Sequence, residues 1–278
     1  MSAHKPLAEA PEPLPVPVTD SHTHLDTTEA VTGLAPVDAL ARARDVNVTR
    51  VVQVGCDVPS SRWAVELAAQ HPEVVAAVAL HPNEAARLTG PLDGAVAGIE
   101  ALVGTHDRVR AIGETGIDHY RTTEPELRRR QADSFAAHIA LAKRYDLTLV
   151  IHDRDAHAEV LAVLDAEGWP ERVVMHCFSG DADHARACLQ HGAWLSFPGV
   201  VTFRANTALQ EAARITPADR LLVETDAPYL TPVPHRGKGN ASYLVPHTVR
   251  FLSELRGDDL SALCTALHHN CDDAFGSW

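Results

Sequence analysis

Lysine and aromatic side chains are scarce in this 278-residue chain. Only Lys5, Lys143 and Lys238 carry an ammonium group, and six Phe, four Tyr and four Trp supply all the large rings. So few rings cannot line a long stacking surface for single-stranded nucleic acid. Cation excess is lacking too: 24 Lys and Arg face 37 Asp and Glu, a net charge of −13. That balance excludes a general nucleic-acid coat protein but leaves room for a local basic patch. No apolar run is long enough to span a membrane. The N-terminus has no apolar core flanked by Lys or Arg, which disfavours a secretory signal and points to a cytoplasmic chain. Cys56, Cys177, Cys188, Cys264 and Cys271 are odd in number and form no CxxC pair, against a disulfide scaffold or a cysteine-based zinc ribbon. What is abundant is histidine, with 17 residues.

Five prolines (Pro6, Pro11, Pro13, Pro15, Pro17) crowd the first 17 residues. Residues 1–15 are therefore expected as a disordered or extended tail, and 16–278 as one domain. Short β-branched runs then recur at 16–22, 50–55, 74–80, 109–113, 147–152, 172–176, 193–197 and 220–225. Most are continuously apolar, as strands covered on both faces must be. Helical spacing fills the gaps, as at Phe135, Ile139 and Ala142, and Thr123 with Glu126 reads as a capping box opening a helix to about Tyr145. Eight strand–helix alternations are the count of a single (β/α)8 TIM-type barrel. A doubly wound open sheet alternates in the same way, but no GxGxxG or GxxxxGK[ST] follows any run.

Chemistry-bearing residues fall at the ends of those runs. His22 and His24 in DSHTHLD project to the same side of a strand, where both can reach one metal. A chain with this much histidine produces roughly one HxH by chance, so the pair alone is weak. Glu114 follows VRAIG, His152 follows LTLVI, His176 follows RVVM and Asp226 follows LLVET. In a parallel barrel those ends meet at one mouth, where active sites lie. Six ligands exceed what one four-coordinate ion needs, so a dinuclear site is expected, with Glu114 as the bridge. His22, His24, Glu114 and Asp226 would hold one divalent ion, and Glu114, His152 and His176 the other. The imidazoles suit Zn, Mn or Ni better than Mg.

The segments DSHTHLD, ALHPNEA, AIGETGIDHY, IHDRDAH, HCFSG, LLVETDAPYL, PHRGKGN and HHNCDDAF, in this order, resemble the TatD-type metal-dependent hydrolases, often called TatD deoxyribonucleases. The resemblance covers essentially everything after residue 17. It implies a TIM-like barrel, a one- or two-metal site filled by the same six ligands, and hydrolase activity, typically 3′→5′ exonuclease activity on DNA, described with Mg. This chain has Ala241-Ser242 after Asn240, where the family usually has Glu-Pro.

On this reading Asp226 is the general base, and Glu224 holds a third ion or steadies a histidine ligand. His81 binds a phosphate oxygen, protonates the leaving group or is structural. Arg154, Arg204, His235, Arg236 and Lys238 sit on loops expected to bind the substrate, whereas Arg128–Arg130 reads as a solvated helix face. Tyr120, Phe178, Phe203 and Tyr229 are either packing or base platforms. The expected substrate is a DNA end or another phosphodiester, with no membrane and no obligate protein partner. The alternatives are deacylation of D-aminoacyl-tRNA, hydrolysis of a small ester or amide, and a non-catalytic scaffold.

Overall fold

Eight short strands lie in one sheet in chain order in the computed structural model, which describes residues 4–278. They are β1 (Val18–Thr23), β2 (Val48–Val54), β3 (Val74–Val78), β4 (Val109–Asp118), β5 (Thr148–Arg154), β6 (Val173–Met175), β7 (Trp194–Phe197) and β8 (Leu221–Val223). The pairs β3/β4, β4/β5, β5/β6 and β7/β8 are parallel. The two ends of the order also meet. Thr23 pairs in parallel with Ala227, His24 N donates to Ala227 O, and Asp226 N donates to His22 O. With helices between the strands, this is the (β/α)8 barrel.

By internal contacts the chain falls into two compact units. The first runs to Val52 and takes in Gly180–Ala185 and Leu195–Asp273. Its proline-rich start is extended from residue 4 onward and fastened down; residues 1–3 of that segment lie outside the described residues. Prolines lack a donor, so the segment is held largely through its carbonyls. Pro6 accepts from Gly239 N, Ala8 from the Tyr243 hydroxyl and Pro13 from Arg250, while Leu14 is buried. Arg50 donates to Thr19 on β1 and pairs with Asp272 at 2.7 Å, tying β1 to the C-terminal helix Leu260–Phe275.

The second unit comprises Gln53–Ser179, Arg186–Trp194 and Ala274–Trp278. Its longest helix, Pro125–Tyr145, buries Phe135, Ile139 and Ala142. The capping box expected of Thr123 and Glu126 is not formed. Glu124 is the N-cap with no side-chain cap, because Pro125 sets the first turn and needs no donor partner. Nor is Arg128 merely solvated: its guanidinium donates to the carbonyls of Thr122 and His119, and Arg130 donates to Gly90 O.

β4 also differs from expectation. It runs on to Asp118, so Glu114 lies inside the strand rather than at its end. The pairing with β5 steps from Ile112↔Leu149 to Thr115↔Ile151, which leaves one extra residue in β4. Such a bulge re-aims a side chain without ending the strand. Glycine makes it possible, since a Cβ at Gly113 would collide with Val150, and one at Gly116 (φ +137°) with the His152 carbonyl.

His138 joins the long helix to the end of β3. Its ring accepts from Leu80 N at 3.1 Å and donates to Ser134 O, and burial pushes its pKa down from 6.5 to about 4. Below pH 6.5 the unfolded chain takes up a proton that the folded ring refuses until about pH 4. Stability should therefore fall across that window, by at most about 3 kcal/mol. Urea unfolding at pH 7 and pH 4.5 measures the loss, and His138→Gln should flatten it while costing about 1–2 kcal/mol at pH 7.

Candidate metal centre

In the first unit, His22 lies in the wholly buried β1 and His24 directly follows the strand, itself buried. Their Nε2 atoms are 3.3 Å apart, and the Asp226 carboxylate lies 3.5 Å from His24 Nε2 and 4.0 Å from His22 Nε2. Asp226 belongs to the turn after β8, with φ 51°, a left-handed conformation that aspartate tolerates better than most residues. β8 ends at Val223, short of the run 220–225, so Glu224 and Asp226 both lie beyond the strand. Glu224 is fully buried, with a carboxylate oxygen within 4.8 Å of a His22 ring nitrogen.

Asp20 fixes this arrangement and was not singled out from the sequence. It accepts from the backbone N of His22 and Thr225 and from the Thr225 hydroxyl, so one carboxylate braces β1 against the turn that carries Asp226. Burial pushes Asp20 up to about 7, against the pull of those hydrogen bonds. Asn240 donates to the carbonyls of Thr225 and Tyr229 and holds the loop that follows. Ala241 and Ser242 are both buried beside it.

The second unit gathers a second group around Glu114. The Glu114 Oε2 atom faces His176 Nε2 at 3.0 Å, His152 Nδ1 at 3.2 Å and His81 Nε2 at 3.7 Å. Its other oxygen faces the Cys56 thiol at 3.5 Å. Burial alone would raise the Glu114 pKa. The charges of His81 and His176 and the hydrogen bonds from His152 and His176 outweigh it and hold the carboxyl well below the usual range. His81 caps the helix Pro82–Arg87, its Nδ1 accepting from Asn83 N, which turns Nε2 toward Glu114.

Asp118 is the other residue that spacing did not reveal, although it stands in AIGETGIDHY, four residues after Glu114. It faces His152 Nε2 at 3.3 Å and accepts from Asn83 Nδ2 and Arg121 N. Its own N–H donates to Gln131 on the long helix. Burial opposes the charged form of both groups, but their mutual hydrogen bond, with Glu114 helping, raises the His152 pKa, and the same bond with those from Arg121 N and Asn83 lowers that of Asp118.

These donors suit divalent cations. Ligand atoms about 2.0–2.1 Å from a tetrahedral ion lie about 3.3–3.5 Å from one another. The nitrogens and carboxylate oxygens in each group are separated by 3.0 to 4.0 Å. His152 has the two-sided engagement expected of a ligating histidine, one nitrogen inward and the other on a carboxylate. His22, His24 and Asp226 could hold an ion in one group, and Glu114, His152, His176 and His81 in the other.

The remaining positions are loop residues. Arg154 ends β5 with its guanidinium 3.9 Å from the Tyr120 ring centroid, and Arg236 covers Phe203 at 4.2 Å. Arg204 and Lys238 are exposed. His235 stacks edge-on against His247, and burial followed by Lys238 pushes its pKa down. Phe178 is core packing, whereas Tyr120 and Tyr229 are 61% and 54% exposed. No helix among the described residues is long and apolar enough to cross a membrane.

Comparison with known proteins gives a consistent result. A family model described as TatD related DNase matches residues 19–276. The "uncharacterized metal-dependent hydrolase TatD" of Mycobacterium tuberculosis is 46% identical over 268 residues, 93% of this chain and 98% of its own. The "3'-5' ssDNA/RNA exonuclease TatD" of Citrobacter rodentium is 30% identical over 249 residues, 86% of this chain and 91% of its own. The solved structure of YJJV, a TatD homologue from Escherichia coli, superposes with a TM-score of 0.83 at 25% identity, covering 94% of this chain and 98% of that one.

Replacing Asp118 by Asn should weaken divalent-ion binding about 10- to 100-fold, because His152 loses the partner that fixes its ring. Calorimetric titration with Mn²⁺ or Zn²⁺ measures the loss, and a thermal melt within a few degrees of the parent separates it from unfolding.

Proposed function

Because the chain belongs to the TatD-related DNase family and is a metal-dependent hydrolase, we propose that residues 16–278 work as one domain that cleaves phosphodiester bonds from the 3′ end of DNA. The observation that carries this reading is the set of three imidazoles facing one buried, anionic carboxylate at Glu114. The relative named as an exonuclease supports the choice of substrate.

In this proposal two divalent ions (Mg, Mn, Zn or Ni) would be held, one by His22, His24, Glu114 and Asp226 and the other by Glu114, His152 and His176. When bound they neutralise charge on the phosphoryl oxygens and make the attacking water more acidic. Asp226 accepts the proton of that water at a carboxylate oxygen; it is 15% exposed where His22 is sealed, so water reaches it. Glu224 steadies His22 from its buried side. His81, whose Nδ1 accepts from Asn83 N and whose proton therefore sits on Nε2, donates a hydrogen bond to a phosphate oxygen, and the proton taken by Asp226 passes to the departing 3′ oxygen as the P–O bond breaks. The exposed Arg204, Arg236 and Lys238 attract the phosphates, so a strand end is gathered locally by a protein whose overall charge is −13. Long-range repulsion disfavours wrapping a duplex, which favours an enzyme acting on ends.

The purified protein with Mn²⁺ or Mg²⁺ should release mononucleotides from 3′-ended single strands. Cleavage confined to D-aminoacyl-tRNA or small acyl esters would overturn the phosphodiester reading. His176→Ala should lower turnover by more than about 100-fold, since it removes a proposed ligand. Its melting temperature should shift by only a few degrees; a large loss of stability with activity retained would contradict the role.

A further inference from the structure

Arg154 lies two positions beyond His152 on β5, so strand alternation sends both side chains to the same side, about 7 Å apart along the strand. Its backbone is locked in the sheet: Arg154 pairs with Asp118, and its carbonyl accepts from His119 N at 2.9 Å. Its guanidinium is different. It makes no hydrogen bond or ion pair with any described residue and lies only against the Tyr120 ring. Several other arginines of this unit are engaged in the fold. Arg128 and Arg130 bind backbone carbonyls, Arg144 pairs with Glu100, and Arg172 pairs with Asp146.

Tyr120 complements it. The residue sits in the turn just after β4, and no described group hydrogen-bonds its hydroxyl. With one face under Arg154 and 61% of its surface exposed, the ring turns its other face to solvent. A guanidinium lying against an aromatic ring has part of its freedom removed beforehand and keeps its forked donors for phosphate. An open aromatic face stacks any nucleobase without reading its sequence.

We propose that Arg154 and Tyr120 form a nucleotide subsite next to the metal centre, in which Arg154 binds a phosphate and Tyr120 stacks the base of a nucleotide flanking the scissile bond. The proposal rests on the phosphodiester reading of the centre and gives that reading a substrate class: single-stranded 3′ ends with unstacked bases. In a chain so poor in aromatics and so acidic, one ring with one unspent cation supplies what a long basic groove supplies elsewhere.

The test uses short single strands with an abasic analogue placed in turn at the terminal and at the penultimate 3′ position. In the wild type, one of the two should raise KM about ten-fold relative to the intact strand. Tyr120→Leu should abolish that difference and Tyr120→Phe should keep it. Arg154→Ala should raise KM and reduce the salt slope of binding by about one. An abasic penalty that is absent from the wild type, or unchanged in Tyr120→Leu, overturns the subsite while leaving metal-stimulated cleavage standing. If no strand is cleaved with any metal, the phosphodiester reading fails instead. Equilibrium binding of intact and abasic strands, followed by fluorescence anisotropy, then decides the subsite: tighter binding of one intact strand, lost in Tyr120→Leu, supports it, and equal Kd values overturn it.

Discussion

A carboxylate removed from water and still ionised is expensive, and Glu114 is such a group. It is 3% exposed, and what keeps it charged is the set of imidazoles facing it. Much of the second unit serves to make that arrangement possible. The bulge in β4 aims the side chain, Gly113 lets the backbone pass Val150, and the cap of the helix Pro82–Arg87 turns His81 inward. Asp118 steadies His152, and the long helix steadies Asp118 through Gln131 and clasps the following turn through Arg128. Imidazole nitrogens that converge on one small volume can serve either task, donating N–H to a carboxylate when protonated and a lone pair to a cation when not.

The first unit solves a similar problem by other means. Its acid, Asp226, stands on a turn with a left-handed backbone rather than on a strand. Position there depends on the brace from Asp20, whose three hydrogen bonds run to His22 and Thr225. Asp20 is itself wholly buried and pushed up to about 7, so the brace is a costly group kept for the geometry it imposes. The extended N-terminal segment is fastened in the same unit to Gly239 and Tyr243, on either side of the buried Ala241 and Ser242. The loop after β8 is thereby anchored at its far end, away from Asp226.

Charge shapes the proposed activity as much as ligand geometry does. With a net charge of −13 the molecule repels polyanions on average, but at ordinary ionic strength salt screens that field beyond about 8–10 Å. Inside that length, individual cations decide. Most arginines are spent on carbonyls and carboxylates that hold the fold, whereas Arg154 and Arg236 lie against aromatic rings. The proposed selection for short, unpaired ends fits such a distribution, because a segment that comes close meets an individual cation rather than the average charge.

The alternation of apolar runs and helices was enough, by itself, to give eight strands and the residue types near their ends, because burial on both faces forces continuous β-branched stretches. His22, His24, Glu114, His152, His176 and Asp226 stood out as candidate ligands on the same ground, by residue type and place in the chain. The bracing residues could not. Asp20 and Asp118 look like any acid beside a strand until the fold brings Thr225 and His152 to them, across 205 and 34 residues. The capping box at Thr123 failed because a local motif yielded to Pro125, and β4 outran its apolar stretch because pairing with β5 continues past the bulge to Asp118. Local pattern therefore determined which residues could act, while tertiary hydrogen bonding decided which way they point and which of them stay charged.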